Sequence, residues 1–165
     1  MKIGAWHYTD FCNVNNNLFS RTDVGIGDDA LLGTVCLAQH AELDGIDIGI
    51  ADLNNIDQYD ALIAFDIFWK NKSWFKLLTK NHYRAYKKFQ QFKGRRLLIL
   101  HECDVVHSEN WQHQNHEMFD RIFTWNDDLI DGIKYFKLNC APRRITSRIR
   151  SSNFKESKFS SIVCS

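Results

Sequence analysis

Residues 97–100, Leu97-Leu98-Ile99-Leu100, narrow the possible folds of this chain more than any other feature. The run is too short to cross a membrane, and it shows neither helical spacing nor alternation with polar residues. An unbroken aliphatic run bounded by Arg95-Arg96 and His101-Glu102 reads as a strand covered on both faces, as in the interior of a parallel sheet. Open α/β sheets bind ligands beyond the carboxyl ends of such strands. Glu102, where this strand should end, is therefore a candidate functional carboxylate by position.

Strands and helices alternate through the rest of the sequence. Lys2–His7 reads as a first strand, followed by the asparagine-rich loop Asn13 to Asn17 and the turn Val24-Gly25-Ile26-Gly27-Asp28-Asp29. A helix is expected next, capped by Asp28 or Asp29, because a side-chain oxygen can accept from exposed first-turn amides. Leu31, Leu32, Val35, Cys36 and Ala38 to Ala41 give it an apolar stripe, and Gly45 should stop it. Ile46, Ile48 and Ile50 alternate with Asp47 and Gly49 as a second strand, and Ala61–Phe65 reads as a third, more buried one.

The longest helical pattern covers residues 72–92. Phe75, Leu78, His82, Tyr86 and Phe89 form its stripe, and Lys76, Lys80, Arg84, Lys87 and Lys88 lie mostly off it. Gly94 occupies the position expected of a helix C-cap. Asn110 to Phe119 suits a short helix, and Arg121 to Trp125 a fifth strand closed by the polar turn Asn126-Asp127-Asp128. Periodicity is lost after Leu138. This order implies an α/β fold with a three-layer parallel sheet over residues 1–140. Residues 141–165 form a basic, serine-rich linker holding the one proline, Pro142, and turn apolar again at Phe159, Ile162 and Val163.

At 165 residues with 44% hydrophobic content, the chain can build one ordinary domain core. Its five cysteines form no CxxC pair, which argues against a zinc knuckle or a disulfide framework and for a reducing compartment. The N-terminus has no apolar segment of signal length, and no run approaches the roughly 20 apolar residues of a membrane span. The net charge of +1 conceals blocks: 2 basic and 11 acidic residues in 1–66, then 10 basic and none acidic in 67–101. Solvated helix faces of opposite sign are the plain explanation; a surface that receives an anionic group is the sharper one.

Three familiar sites are disfavoured. Gly25-Ile26-Gly27 lacks GxGxxG spacing and a Gly-Lys-Ser/Thr, and Asp28 and Asp29 would repel phosphate. His101, His107, His113 and His116 match neither HExxH nor paired Cys/His spacing, so no metal site is expected. The aromatics of the basic helix fall on its core stripe, so nucleic-acid binding is not expected, while its basic face suits peripheral contact with a membrane surface.

Longer motifs begin at residue 95. LLILHECDVVHSENW, MFDRIFTWNDDLIDGIKYFKLN and NFKESKFSSIVCS together resemble segments of glycosyltransferase family 10, the α-1,3/4-fucosyltransferase family, in its bacterial-type members. The resemblance is strong over about 70 residues, and residues 1–66 are compatible with that family's variable N-terminal domain. It implies a Rossmann-like domain forming the N-terminal, acceptor-side half of a GT-B enzyme, with GDP-fucose held by a following donor domain. On this reading the 165 residues hold only the first half, as a truncated gene product, a fragment or a protein that needs a partner; the chain alone is expected to be inactive, and a cytoplasmic location is expected.

The implied reaction is inverting transfer of L-fucose from GDP-fucose to a glycan hydroxyl. By motif position Glu102 is the general base, and Asn110 and Trp111 shape the acceptor pocket. No cofactor is required in this chain; a divalent cation can help the diphosphate leave in the full-length family, but nothing in these residues supplies its ligands. Two plainer alternatives stand beside this. Glu102 could be a strand-end carboxylate paired with Arg95, Arg96 or a histidine, and the chain could be a non-catalytic sugar- or nucleotide-binding module.

Overall fold

A computed structural model describes residues 1–23, 29–69 and 80–139. Within them, β1 (Lys2–His7), β2 (Asp47–Ile50), β3 (Ala61–Phe65), β4 (Arg95–Leu100), β5 (Arg121–Thr124) and β6 (Tyr135–Lys137) form one sheet. The strand order is β2-β1-β3-β4-β5-β6. Every neighbouring pair is parallel. This is a Rossmann-like α/β arrangement, and its helices are α1 (Asp10–Asn13), α2 (Asn17–Ser20), α3 (Leu32–Leu43) and α4 (Lys80–Gln91). No helix among the described residues is long and apolar enough to cross a membrane.

The aliphatic strands bury side chains in both directions, as an interior position requires. On one face Leu62 and Ala64 of β3, Leu98 and Leu100 of β4 and Ile122 of β5 pack with Trp6 and with Ala85 and Phe89 of α4. On the other, Ile63, Phe65 and Ile99 meet Cys12, Leu18, Phe19 and Leu31 from the α1–α3 side. Leu97 is only half-buried. The β4 run thus has the two-sided burial expected of it at Leu98–Leu100, and its first residue is less covered.

Several local expectations change. Asp29 has φ +63, and α3 begins after Leu31 with no side-chain cap bond, so the aspartate lies upstream of the helix instead of capping it. Asp28, the Gly25–Gly27 turn, residues 70–79 and the 141–165 linker lie outside the described residues. Gly45 does follow α3 in the left-handed conformation, at φ +70. Gly94 does not: α4 ends at Gln91, and the glycine is needed for space. A Cβ there would stand 2.5 Å from the Phe92 ring and 2.9 Å from the Asp60 carbonyl oxygen.

The segment expected as a helix after Asn110 is instead two 3-10 turns, Ser108–Trp111 and His113–His116. Its polar side chains bond to the main chain: Asn115 Nδ2 donates to the Glu109 carbonyl at 2.9 Å, and His116 Nε2 to the Asn110 carbonyl at 2.7 Å. Such bonds compete with a continuous helical ladder. The three-layer arrangement is correspondingly incomplete, with short turns in place of helices between β2 and β3 and between β4 and β5.

The space constraint at Gly94 is testable. Gly94→Ala is expected to lower the unfolding free energy by about 1–3 kcal/mol, the usual cost of overpacking, in urea melts. An unchanged midpoint would remove the steric explanation.

Candidate functional site

The strand order reverses direction between β1 and β3, because β2 lies on one side of β1 and β3 to β6 extend on the other. In open parallel sheets this switch point leaves a crevice beyond the carboxyl ends of the two strands. A cavity of about 980 Å³ lies here. Strand ends supply its polar lining, His7, Tyr8, Asp66, His101 and Glu102, and Ile63, Phe65, Ile99, Leu18 and Leu31 its apolar walls. The rule that singled out Glu102 after β4 also applies to Asp66 after β3.

Glu102 is half-buried and held by both its main chain and its side chain. Its amide donates to Asp66 Oδ1 at 3.2 Å, next to the His101 amide at 2.7 Å. Its carbonyl accepts from Asn110 Nδ2 at 3.2 Å and from the Trp111 indole at 3.3 Å. The Trp125 indole donates to the His101 carbonyl at 3.0 Å. At the side chain, the Tyr8 hydroxyl donates to Oε1 at 3.1 Å. Arg95 and Arg96 stand at the opposite end of β4, so neither is its ion-pair partner.

Asn110 and Trp111 do not line the cavity. Asn110 is fully buried, and its amide is committed on every side: Nδ2 donates to Asp66 Oδ1 at 2.6 Å and to the Glu102 carbonyl, while Oδ1 accepts from the Ile67 amide at 2.8 Å. The residue expected to shape an acceptor pocket thus stands behind Glu102 and supports the turn. Trp111 is half-buried, supports the same turn through its indole nitrogen, and meets Trp125 edge to face at 5.5 Å.

The residues missed by sequence reading are Tyr8, Asp66, His7 and Trp125. Tyr8 stacks with His7, at 4.7 Å, and with His107, at 5.0 Å. Burial, and then the Glu102 carboxylate, push its phenol up to about 12, so it remains a hydrogen-bond donor through the neutral range. Burial foremost, then His101 and other nearby histidines, lower His7 to about 3. Its Nδ1 accepts from the Thr9 amide at 2.9 Å, which suits a neutral ring. Burial raises the carboxyl of Asp66 above the ordinary aspartate value, against the pull of its three donors.

The histidines do not form a metal cluster. Among the described residues no group of three or more His, Cys, Asp or Glu side chains could hold a metal ion. His116 is buried between the Asn110 carbonyl and the Tyr135 hydroxyl, and supports Asn110. Neither a protein-family model, a curated protein nor a solved structure matches this chain significantly.

A neutral, buried His7 makes stability depend on pH. Its folded pKa of about 3 lies below the ordinary histidine value of 6.5, so the unfolded chain binds the extra proton between these limits. Stability is therefore present above pH 6.5 and lost as pH falls toward 3, with about 1.4 kcal/mol per pH unit for one such proton. His7→Asn, which keeps an acceptor for the Thr9 amide, should flatten the acid limb of a stability–pH curve measured by urea melts. Equal slopes in the two proteins would contradict the assignment. His82 and His116 are lowered by burial too, so some slope should remain.

Proposed function

We propose that this chain is the acceptor-side domain of an inverting glycosyltransferase of the fucosyltransferase type, with Glu102 as general base. The acceptor is a glycan hydroxyl and the donor GDP-fucose, held by a donor domain. As the acceptor oxygen forms its bond to the anomeric carbon, the bond from that carbon to GDP breaks and GDP departs with the electron pair. The hydroxyl proton passes to the Glu102 carboxylate. A carboxylate held within reach of the hydroxyl contributes through both proton transfer and positioning.

One observation carries this reading: Glu102 lines the switch-point cavity with Oε1 held by Tyr8 and with Oε2 free of hydrogen-bond partners among the described residues. One oxygen is thus fixed in orientation while the other is available to accept a proton. The two motif blocks support it too, because they meet at this turn. Trp111 comes from the block after β4 and Trp125 from the block around β5, yet their indoles bond to the adjacent carbonyls of Glu102 and His101. Free thiols at Cys12, Cys36 and Cys103 fit a cytoplasmic setting.

The test is fucose transfer from GDP-fucose by the chain joined to a donor domain. Glu102→Gln keeps the size of the side chain and an acceptor for Tyr8, and is expected to lower kcat by about two to four orders of magnitude with acceptor KM little changed. Turnover like that of the wild type would rule out Glu102 as the base. Glycan binding with no transfer by the joined wild-type protein would favour the non-catalytic binding module.

A further inference from the structure

Asp66 is a carboxyl group in a costly place. It is fully buried directly after β3, and its backbone is left-handed at φ +58, a conformation that non-glycine residues adopt at a cost. Glycine would take this backbone without strain, but it would leave three donors without their acceptor. Oδ1 receives the amides of His101 and Glu102 and the side chain of Asn110, whereas Oδ2 has no hydrogen-bond partner among the described residues. Among the described residues, all the hydrogen bonding of this side chain is therefore directed at the turn that carries Glu102.

The bonds define that turn from both sides. Asp66 holds the Glu102 amide directly, and through Asn110 it is linked to the Glu102 carbonyl; Asn110 also accepts from the amide of Ile67, the residue after Asp66. The end of β3 and the end of β4 are thereby locked in register beyond the last paired residues, Phe65 and Ile99. Only with its main chain fixed can Glu102 meet the Tyr8 hydroxyl, which is anchored on a different strand. Resting on the reading of Glu102 as the base, we infer that Asp66 is the positioning residue of this site, acting through Oδ1 to set where the Glu102 carboxylate stands.

Two variants separate this role from general stabilisation. Asp66→Gly removes the acceptor while relieving the backbone strain, so the fold is kept, and Asp66→Asn keeps an acceptor oxygen in the same place. In amide hydrogen exchange followed by NMR on the full chain, Asp66→Gly should exchange His101 and Glu102 about ten- to a hundredfold faster, and Asp66→Asn should retain their protection. The β3–β4 ladder amides should stay protected in both. In the chain joined to a donor domain, Asp66→Gly should lower kcat by about ten- to a hundredfold with acceptor KM little changed, and Asp66→Asn should restore it.

Unchanged exchange at His101 and Glu102 in Asp66→Gly, or loss of protection spread evenly over β3 and β4, would overturn the inference. So would an Asp66→Asn variant as impaired as Asp66→Gly, since that result assigns the role to charge instead of to the acceptor. If exchange responds as expected but even the wild type transfers no fucose, the positioning of the turn by Asp66 stands and the glycosyltransferase reading falls.

Discussion

Two consecutive amides, those of His101 and Glu102, converge on one buried oxygen of Asp66, and the arrangement of the site follows from this contact. A parallel ladder fixes strands only as far as its last hydrogen bond; beyond β3 and β4 the chain must be held by something else. A buried carboxyl group is costly without donors, and charge-assisted bonds are the stronger ones available to offset that cost. Asp66 has three donors on one oxygen. The result is a short turn whose direction is set by side chains of β3, the 3-10 turn after β4, and the end of β5.

The two apolar faces of the sheet place this turn at the cavity. Leu98 and Leu100 face α4 while Ile99 faces the α1–α3 side, so β4 is held in the middle of the sheet by packing on both sides. Its carboxyl end is thereby brought level with those of β1 and β3, where the strand order reverses. Tyr8 continues from β1, Asp66 from β3 and His101-Glu102 from β4. Three parallel strands thus deliver a hydroxyl, a buried acid and a half-buried carboxylate to one crevice.

Elements with a strong local pattern were legible in the sequence. Ala61–Phe65 has the bounds its apolar run suggested, and β1 likewise spans Lys2–His7. Glu102 could be singled out because it follows a long aliphatic run. Asp66 follows one too, but no motif marked it, and its role depends on donors 35 or more residues away. Tyr8 was hidden for the same reason, since its contact with Glu102 joins residues 94 apart. Asn110 was visible as a polar residue near the candidate base, but sequence alone could not tell a pocket wall from a buried clamp. Gly94 followed a helical pattern and so suggested a cap, whereas the close approach of Phe92 is a tertiary contact. The three-residue edge strand β6 was too short to carry a period of its own.

The proposed chemistry rests on one side chain, and its placement on several others. Tyr8 orients the Glu102 carboxylate, Asp66 and Asn110 hold its main chain, and the two tryptophans close the turn from outside. The most direct measurement of this account is NMR mapping of the wild-type chain during titration with a panel of neutral oligosaccharides. If the cavity is an acceptor site, a binding oligosaccharide should shift the resonances of Glu102 and Tyr8 first, with those of the exposed face of α4 unmoved. Saturable binding that leaves Glu102 and Tyr8 unperturbed would contradict it.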